Sequence, residues 1–293
     1  MTATEAQNGD IVDAAADDPP DIRLPRKPAP RKPSTRLVRY LVPVIMLVLL
    51  IFVWQVYVTV NEVPHYILPS PVRVAEALIT DWQVLLSALW ITVEITFTAL
   101  LIALVGGVAL AILMAQSRWI ELALYPYAVI LQVTPIIAIA PLILIYAPTT
   151  QSAILICAWI VAFFPVLSNT TQGLRSTDHN LLNLFELYGA SRWQTLIHLQ
   201  LPSALPYFLA GLRIAGGLAL IAAVVGEFAA GTAGAGSGLA FRLLESQYRL
   251  NIPRLFGALV LLSLTGILIF FATSLVSHLL LRKWHESAVR REN

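Results

Sequence analysis

The sequence predicts an all-α polytopic membrane protein with about six transmembrane helices. Hydrophobic residues make up 58% of its 293 positions and charged residues only 12%, and the mean hydropathy of +0.76 lies outside the range of ordinary globular domains. Nearly uncharged apolar runs long enough to cross a hydrocarbon core of ~30 Å as a helix recur along the chain. One long polar stretch, 175–206, separates the fourth run from the fifth.

Residues 1–36 open with acids (Glu5, Asp10, Asp13, Asp17, Asp18, Asp21) and continue with a proline-punctuated basic series from Arg23 to Arg36. Such a composition cannot bury a core, so a disordered cytoplasmic tail is expected. Its first apolar run begins only at Tyr40, too late for a cleavable signal peptide.

Residues 37–84 comprise the first span, Tyr40 to Val60, and an external interfacial segment. Within that segment Val72, Ala75, Leu78 and Ile79 share a helical face after Leu68-Pro69-Ser70-Pro71.

Residues 85–281 hold the other spans. Leu85 to Ala115 exceeds one bilayer thickness, with Gly106-Gly107 marking a bend or close packing. Leu122 to Ala147 contains Pro126, Pro135 and Pro141 and reads as a single kinked span facing protein or a cavity, which makes Pro135 and Pro141 pathway candidates. The fourth span runs from Ser152 to about Thr171, the fifth from Tyr207 to Ala230 and the sixth from Phe256 to Leu281. Residues 282–293 form a second cytoplasmic tail.

The polar stretch reads as helix, turn, helix. Asp178 is an N-cap and Gly189 a left-handed C-cap. Ser191 and Gln194 form a capping box, and Pro202 and Pro206 limit the second helix. A DNA-binding motif is excluded by the membrane-spanning flanks, so no nucleic acid partner is expected.

Basic residues fix the orientation. Both tails, the Arg118 loop and the stretch bearing Arg175 and Arg192 fall on one side, which the positive-inside rule makes cytoplasmic. Arg242, Arg249 and Arg254, between spans five and six, break the rule locally, and a re-entrant or pathway-lining segment there would account for them.

The chemistry available is limited. No GxxxxGK[ST] is present for nucleotide phosphates, and the glycines from Gly231 to Gly238 suit a flexible gate loop better than a GxGxxG site. The five histidines are scattered without metal-ligand spacing, and Cys157 stands alone. Three ionisable residues lie in or near spans: Glu94, Arg213 and Glu227, each a pathway candidate. Arg213 and Glu227 are separated by about 21 Å of helical rise and about 40° of rotation, which places them on one inward face without direct pairing. The alternatives are that Arg213 snorkels and that Glu227 satisfies backbone groups near the outer end.

The spacing Gly189, Leu199, Leu201-Pro202 resembles the EAA loop of ABC-importer permeases: EAA, three residues, Gly, nine residues, Ile, one residue, Leu-Pro. The EAA triplet falls on Asn183, Leu184 and Phe185, so its acid is missing, although Glu186 follows. Leu68-Pro69-Ser70-Pro71, Gly189-Ala190-Ser191, Gly211-Leu212-Arg213 and Glu227-Phe228 are similar to the nitrate/sulfonate/taurine subfamily, whose relatives carry thiamine pyrimidine precursors and riboflavin. Gly238-Leu239-Ala240 replaces that subfamily's frequent Gly-Leu-Gly.

The resemblance implies a permease subunit in a prokaryotic inner membrane, both termini cytoplasmic, embedded in lipid and paired as a homodimer. It also implies two ATPase subunits that bind ATP and Mg, an external solute-binding protein, and no cofactor or catalytic residue in this chain. The ATPase would be met by Leu182, Asn183, Phe185, Glu186 and Tyr188, with Gly189, Ala190 and Ser191 shaping the turn and Leu201 and Pro202 leading force into span five. A secondary transporter, the alternative, would have only Glu94 and Glu227 for ion coupling.

Overall fold

A computed structural model describes residues 35–231 and 236–282, and among them every regular element is helical. The tail over residues 1–34 and most of the tail at 282–293 lie outside the described residues. Two compact units are distinguished, residues 1–50 and 51–293. The described part of the first is the opening of helix α1 (Thr35–Val60), whose apolar side chains from Leu41 to Leu50 are exposed.

The second unit continues with α2 (Pro71–Thr80), α3 (Trp82–Gln116), α4 (Arg118–Val133), α5 (Ile136–Tyr146) and α6 (Thr150–Arg175). It then carries α7 (His179–Leu187), α8 (Arg192–Thr195), a π-helical segment (Leu196–Gln200), α9 (Leu201–Ala230), α10 (Leu239–Tyr248) and α11 (Ile252–Leu281).

Helices α3, α6 and α9 form the core because small residues let their backbones approach. A Cβ on Gly173 would meet Ala204 and Tyr207, one on Gly211 would stand 2.8 Å from the Pro165 carbonyl, and one on Gly226 would press on Ile154. That register makes α6 and α9 antiparallel. Ile95 and Ala99 of α3 join Ile154 and Ala158 in one cluster, Gly107 faces Val166, and Met114 clusters with Leu174 and Ala204. So α3 runs parallel to α6, and both end where α9 begins. Gly106-Gly107 serves close packing, since α3 is unbroken over its 35 residues.

The single kinked helix expected over Leu122 to Ala147 is corrected to two helices that make one crossing. Two helices, α4 and α5, meet at 103°. Pro135 is the cause: it disfavours helical geometry at the preceding residue, and Thr134 is extended at ψ 122°. Pro126 and Pro141 are instead contained within their helices. The pair starts beside the end of α6, where Glu121 is ion-paired with Arg175, and leads to Thr150 at the opposite end. It therefore traverses the bundle as a broken span instead of returning as a re-entrant loop, and with the five long apolar helices it brings the crossings to six.

Two further segments gain detail. In α2 the buried position is Val74, while Leu78 packs toward Gly257 of α11 and Val72 and Ile79 are exposed. The packed side of α2, Val74 with Leu78, thus lies apart from Val72, Ala75 and Ile79, which stay exposed. The local excess of arginine is explained by ion pairing: Glu245 of α10 meets Arg242 and Arg249 at 2.9 Å each and Arg254 at 3.9 Å, and Arg254 also faces Asp81 at 3.7 Å.

Candidate functional site

Helix α7 and the turn after it form the most distinctive site. Asp178 caps the helix by accepting the Asn180 N–H at 2.8 Å. At its other end the Gly189 N–H donates to the Glu186 carbonyl and the Ala190 N–H to the Phe185 carbonyl, both at 2.9 Å. These paired bonds are the Schellman arrangement, which needs a left-handed residue, and Gly189 supplies it at φ +69°. Ser191 then closes its capping box: its N–H donates to Gln194 Oε1 at 2.7 Å, and its Oγ accepts the Gln194 N–H at 3.3 Å.

No residue of α7 is buried. Leu182 and Phe185 are half-buried, with Leu182 lining a groove of about 560 Å³ together with Glu186, Arg192 and the end of α3. Asn183 and Glu186 are exposed. Leu187 and Tyr188 are each 84% exposed, and Leu181 and Leu184 join them on the uncovered surface. Leu187 was missed in the sequence reading, although the spacing Leu181, Leu184, Leu187, Tyr188 carries a helical signal of its own.

The second helix does not end at Pro202, contrary to expectation. It runs through the π-helical segment, where the Leu201 N–H reaches back five residues to the Leu196 carbonyl, into α9. This wider turn, together with the position of Pro202 in the first turn of α9, accommodates a residue that has no N–H to give. Leu196 and Leu199 are buried and anchor the segment, while Leu201 and Pro202 are half-buried. A continuous rod, Arg192–Ala230, therefore joins the turn to the far end of the bundle.

The pathway candidates are not gathered into one place. Glu94 lies exposed on α3, Pro135 exposed at the break and Pro141 exposed on α5. Arg213 and Glu227 lie about 40° apart on α9, yet their surroundings differ. Arg213 is exposed with its guanidinium 5.8 Å from the Phe270 ring centroid, whereas Glu227 is only 2% exposed. The 40° between them is enough to move the later residue from an open edge into the contact with α3 and α10.

Among the described residues no group of three or more His, Cys, Asp or Glu side chains could hold a metal. Burial raises the cost of charge along the spans, but at α10 the charges are paired. The hydrogen bond from Arg242 first, then the positive charge of Arg242, Arg249 and Arg254, holds the Glu245 carboxyl below its ordinary range against the opposing effect of burial.

Residues 103–286 match the family described as binding-protein-dependent transport system inner membrane component. The chain belongs to that family. It is 36% identical over 254 residues to the riboflavin transport system permease protein RibX of Chloroflexus aurantiacus, covering 84% of this chain and 90% of the relative. It is 33% identical over 240 residues to the formylaminopyrimidine transport permease protein ThiX of Halalkalibacterium halodurans, covering 82% and 94%. A crystal structure of an amino acid ABC transporter with histidines shares its fold at a TM-score of 0.58 and 18% identity, over 70% of this chain and 96% of that one. This permease is thus a multi-pass inner-membrane transport component of an ABC importer.

Proposed function

We propose that this permease forms a homodimeric pathway whose α7 docks in a groove of a cytoplasmic ATPase, with both chain termini on that side. The solute is a small polar organic compound of the vitamin or pyrimidine-precursor class, handed over by an external binding protein. The permeases named for riboflavin and formylaminopyrimidine transport support that class. The ATPase partner binds the ATP and Mg, and this chain contributes movement only.

One observation carries the reading: α7 buries none of its residues, yet caps at both ends make it rigid, and a short turn joins it to the unbroken rod Arg192–Ala230. An amphipathic helix left uncovered in this way is suited to insertion in a partner's groove. Of the residues expected to meet the ATPase, Tyr188 lies on the free surface beside Leu187, while Leu182 and Phe185 brace the helix from behind. Glu186 stands in for the acid that Asn183 lacks.

The test is co-purification with the ATPase and ATP-driven uptake in proteoliposomes. Leu187→Asp, at a position that supports no packing within the chain, is expected to abolish ATPase capture while leaving insertion and thermal stability unchanged. Uptake driven by a proton or sodium gradient, indifferent to the ATPase, would overturn the proposal in favour of ion-coupled transport.

A further inference from the structure

Glu227, near the end of α9, is the only acidic or basic side chain so deeply buried among the described residues. Both of its carboxylate oxygens are engaged. Thr92 of α3 donates its hydroxyl to Oε1 at 2.7 Å, and the Ala240 N–H donates to Oε2 at 2.8 Å. The same Thr92 oxygen accepts the Leu239 N–H at 2.8 Å. Gly238 leaves the room that this requires, because a Cβ there would overlap the carboxylate.

Leu239 and Ala240 are the first residues of α10, and first-turn N–H groups have no acceptor within their own helix. Here two side chains from two other helices supply the acceptors, so three helices are tied at one point. Beside it, Leu239 packs with Leu85 and Ala88 of α3 and Ala258 of α11. With both oxygens bonded inside the protein and only 2% of the residue exposed, the carboxylate is closed off from a passing solute.

We propose that Glu227 is a positioning residue which, with Thr92, fastens the first turn of α10 to α3 and α9, so that α10 travels with α9 during transport instead of opening as a separate gate. This rests on the reading of α7 as the coupling element, because the rod from α8 through α9 would then end in α10. Movement imposed at one end of the rod is delivered at the other as displacement of a clamped helix.

The Leu239 and Ala240 amides report the clamp directly, because their protection from hydrogen exchange depends on Thr92 and Glu227. Exchange is measured at these amides in the ATPase complex in nanodiscs, with and without ATP. In the wild type both amides are expected to stay protected in either condition while exchange at α7 changes with ATP. Glu227→Ala is expected to speed Ala240 exchange by about tenfold or more, and Thr92→Val to do the same for Leu239 in a nearly isosteric background. Glu227→Gln, which keeps one acceptor oxygen, is expected to be intermediate.

Loss of Ala240 protection on adding ATP to the wild type would show that α10 opens, and would overturn the proposal. Unchanged exchange in both Glu227→Ala and Thr92→Val would overturn it equally. If the ATPase does not bind, the coupling reading fails, and the comparison of variants without nucleotide still decides whether the clamp exists.

Discussion

Gly189 concentrates the demands of the site in one residue. Its φ of +69° is a conformation that L-residues adopt at a cost of roughly 1–2 kcal/mol, yet a Cβ there would meet nothing within 4 Å. Backbone preference alone therefore separates the substitutions. Gly189→Asn, which tolerates the left-handed region, is expected to retain coupling, while Gly189→Val is expected to lose it with little change in melting temperature. ATP hydrolysis stimulated by the external binding protein measures the first, and thermal unfolding in detergent the second. Equal coupling in the two variants would remove the turn from the mechanism. At this scale the sequence was most legible where a residue's partner is close in the chain: Asp178, Gly189, and Ser191 with Gln194 act within three or four positions. Glu227 stood out as an ionisable residue near the end of a span, where satisfying backbone groups was one of its readings, but Thr92 lies 135 positions away, and no local pattern marks that pairing.

Elements were legible by length and misread where proline acted. A run of about twenty apolar residues identifies a span whatever it packs against, but the same residue type broke one span at Pro135 and was absorbed in another at Pro202. The difference lies in the residue before each: Thr134 turned extended, whereas Leu201 stayed helical at φ −64° behind a widened turn. Close packing of α6 on α9 gives a direct test. Gly211→Leu would force side-chain atoms into the Pro165 carbonyl and Asn169, and overpacking of this kind is expected to cost about 1–3 kcal/mol, seen as a lower melting temperature. An unchanged melting temperature would mean the two helices can separate freely. The α10 pairing predicts a pH effect. Because Glu245 is held below its ordinary value of about 4.3, its contribution is present in full above that value and is lost as pH falls through the depressed one. Wild type is expected to lose stability on acidification below about pH 4 by more than Glu245→Gln does, and parallel melting curves for the two would refute the assignment.

For the whole molecule the question is how a push at α7 reaches the near end of the broken span, where α4 begins. α7 connects directly to the end of α6 and, through α8, to α9, and α5 joins only the far end of α6, through residues 147–149; at the end near α7, the start of α4 is held to α6 by packing and, among the described residues, by the ion pair of Arg175 with Glu121. Arg175 is more than half exposed, so the pair adds at most about 1 kcal/mol to stability. Its place is what matters: it joins the last residue of α6 to the first turn of α4, beside the groove that α7 helps to line. Reversing one charge should therefore leave the fold intact and weaken the transfer of movement. Glu121→Arg and Arg175→Glu are each expected to lower the ATP hydrolysis stimulated by the binding protein, with melting temperatures within a few degrees of wild type. Combining them restores an ion pair of opposite polarity and is expected to recover most of the stimulation. A double variant no better than the singles would show that α4 follows α6 through packing alone, and the path to the broken span would then lie in the cluster of Met114, Ala128, Phe164 and Leu174.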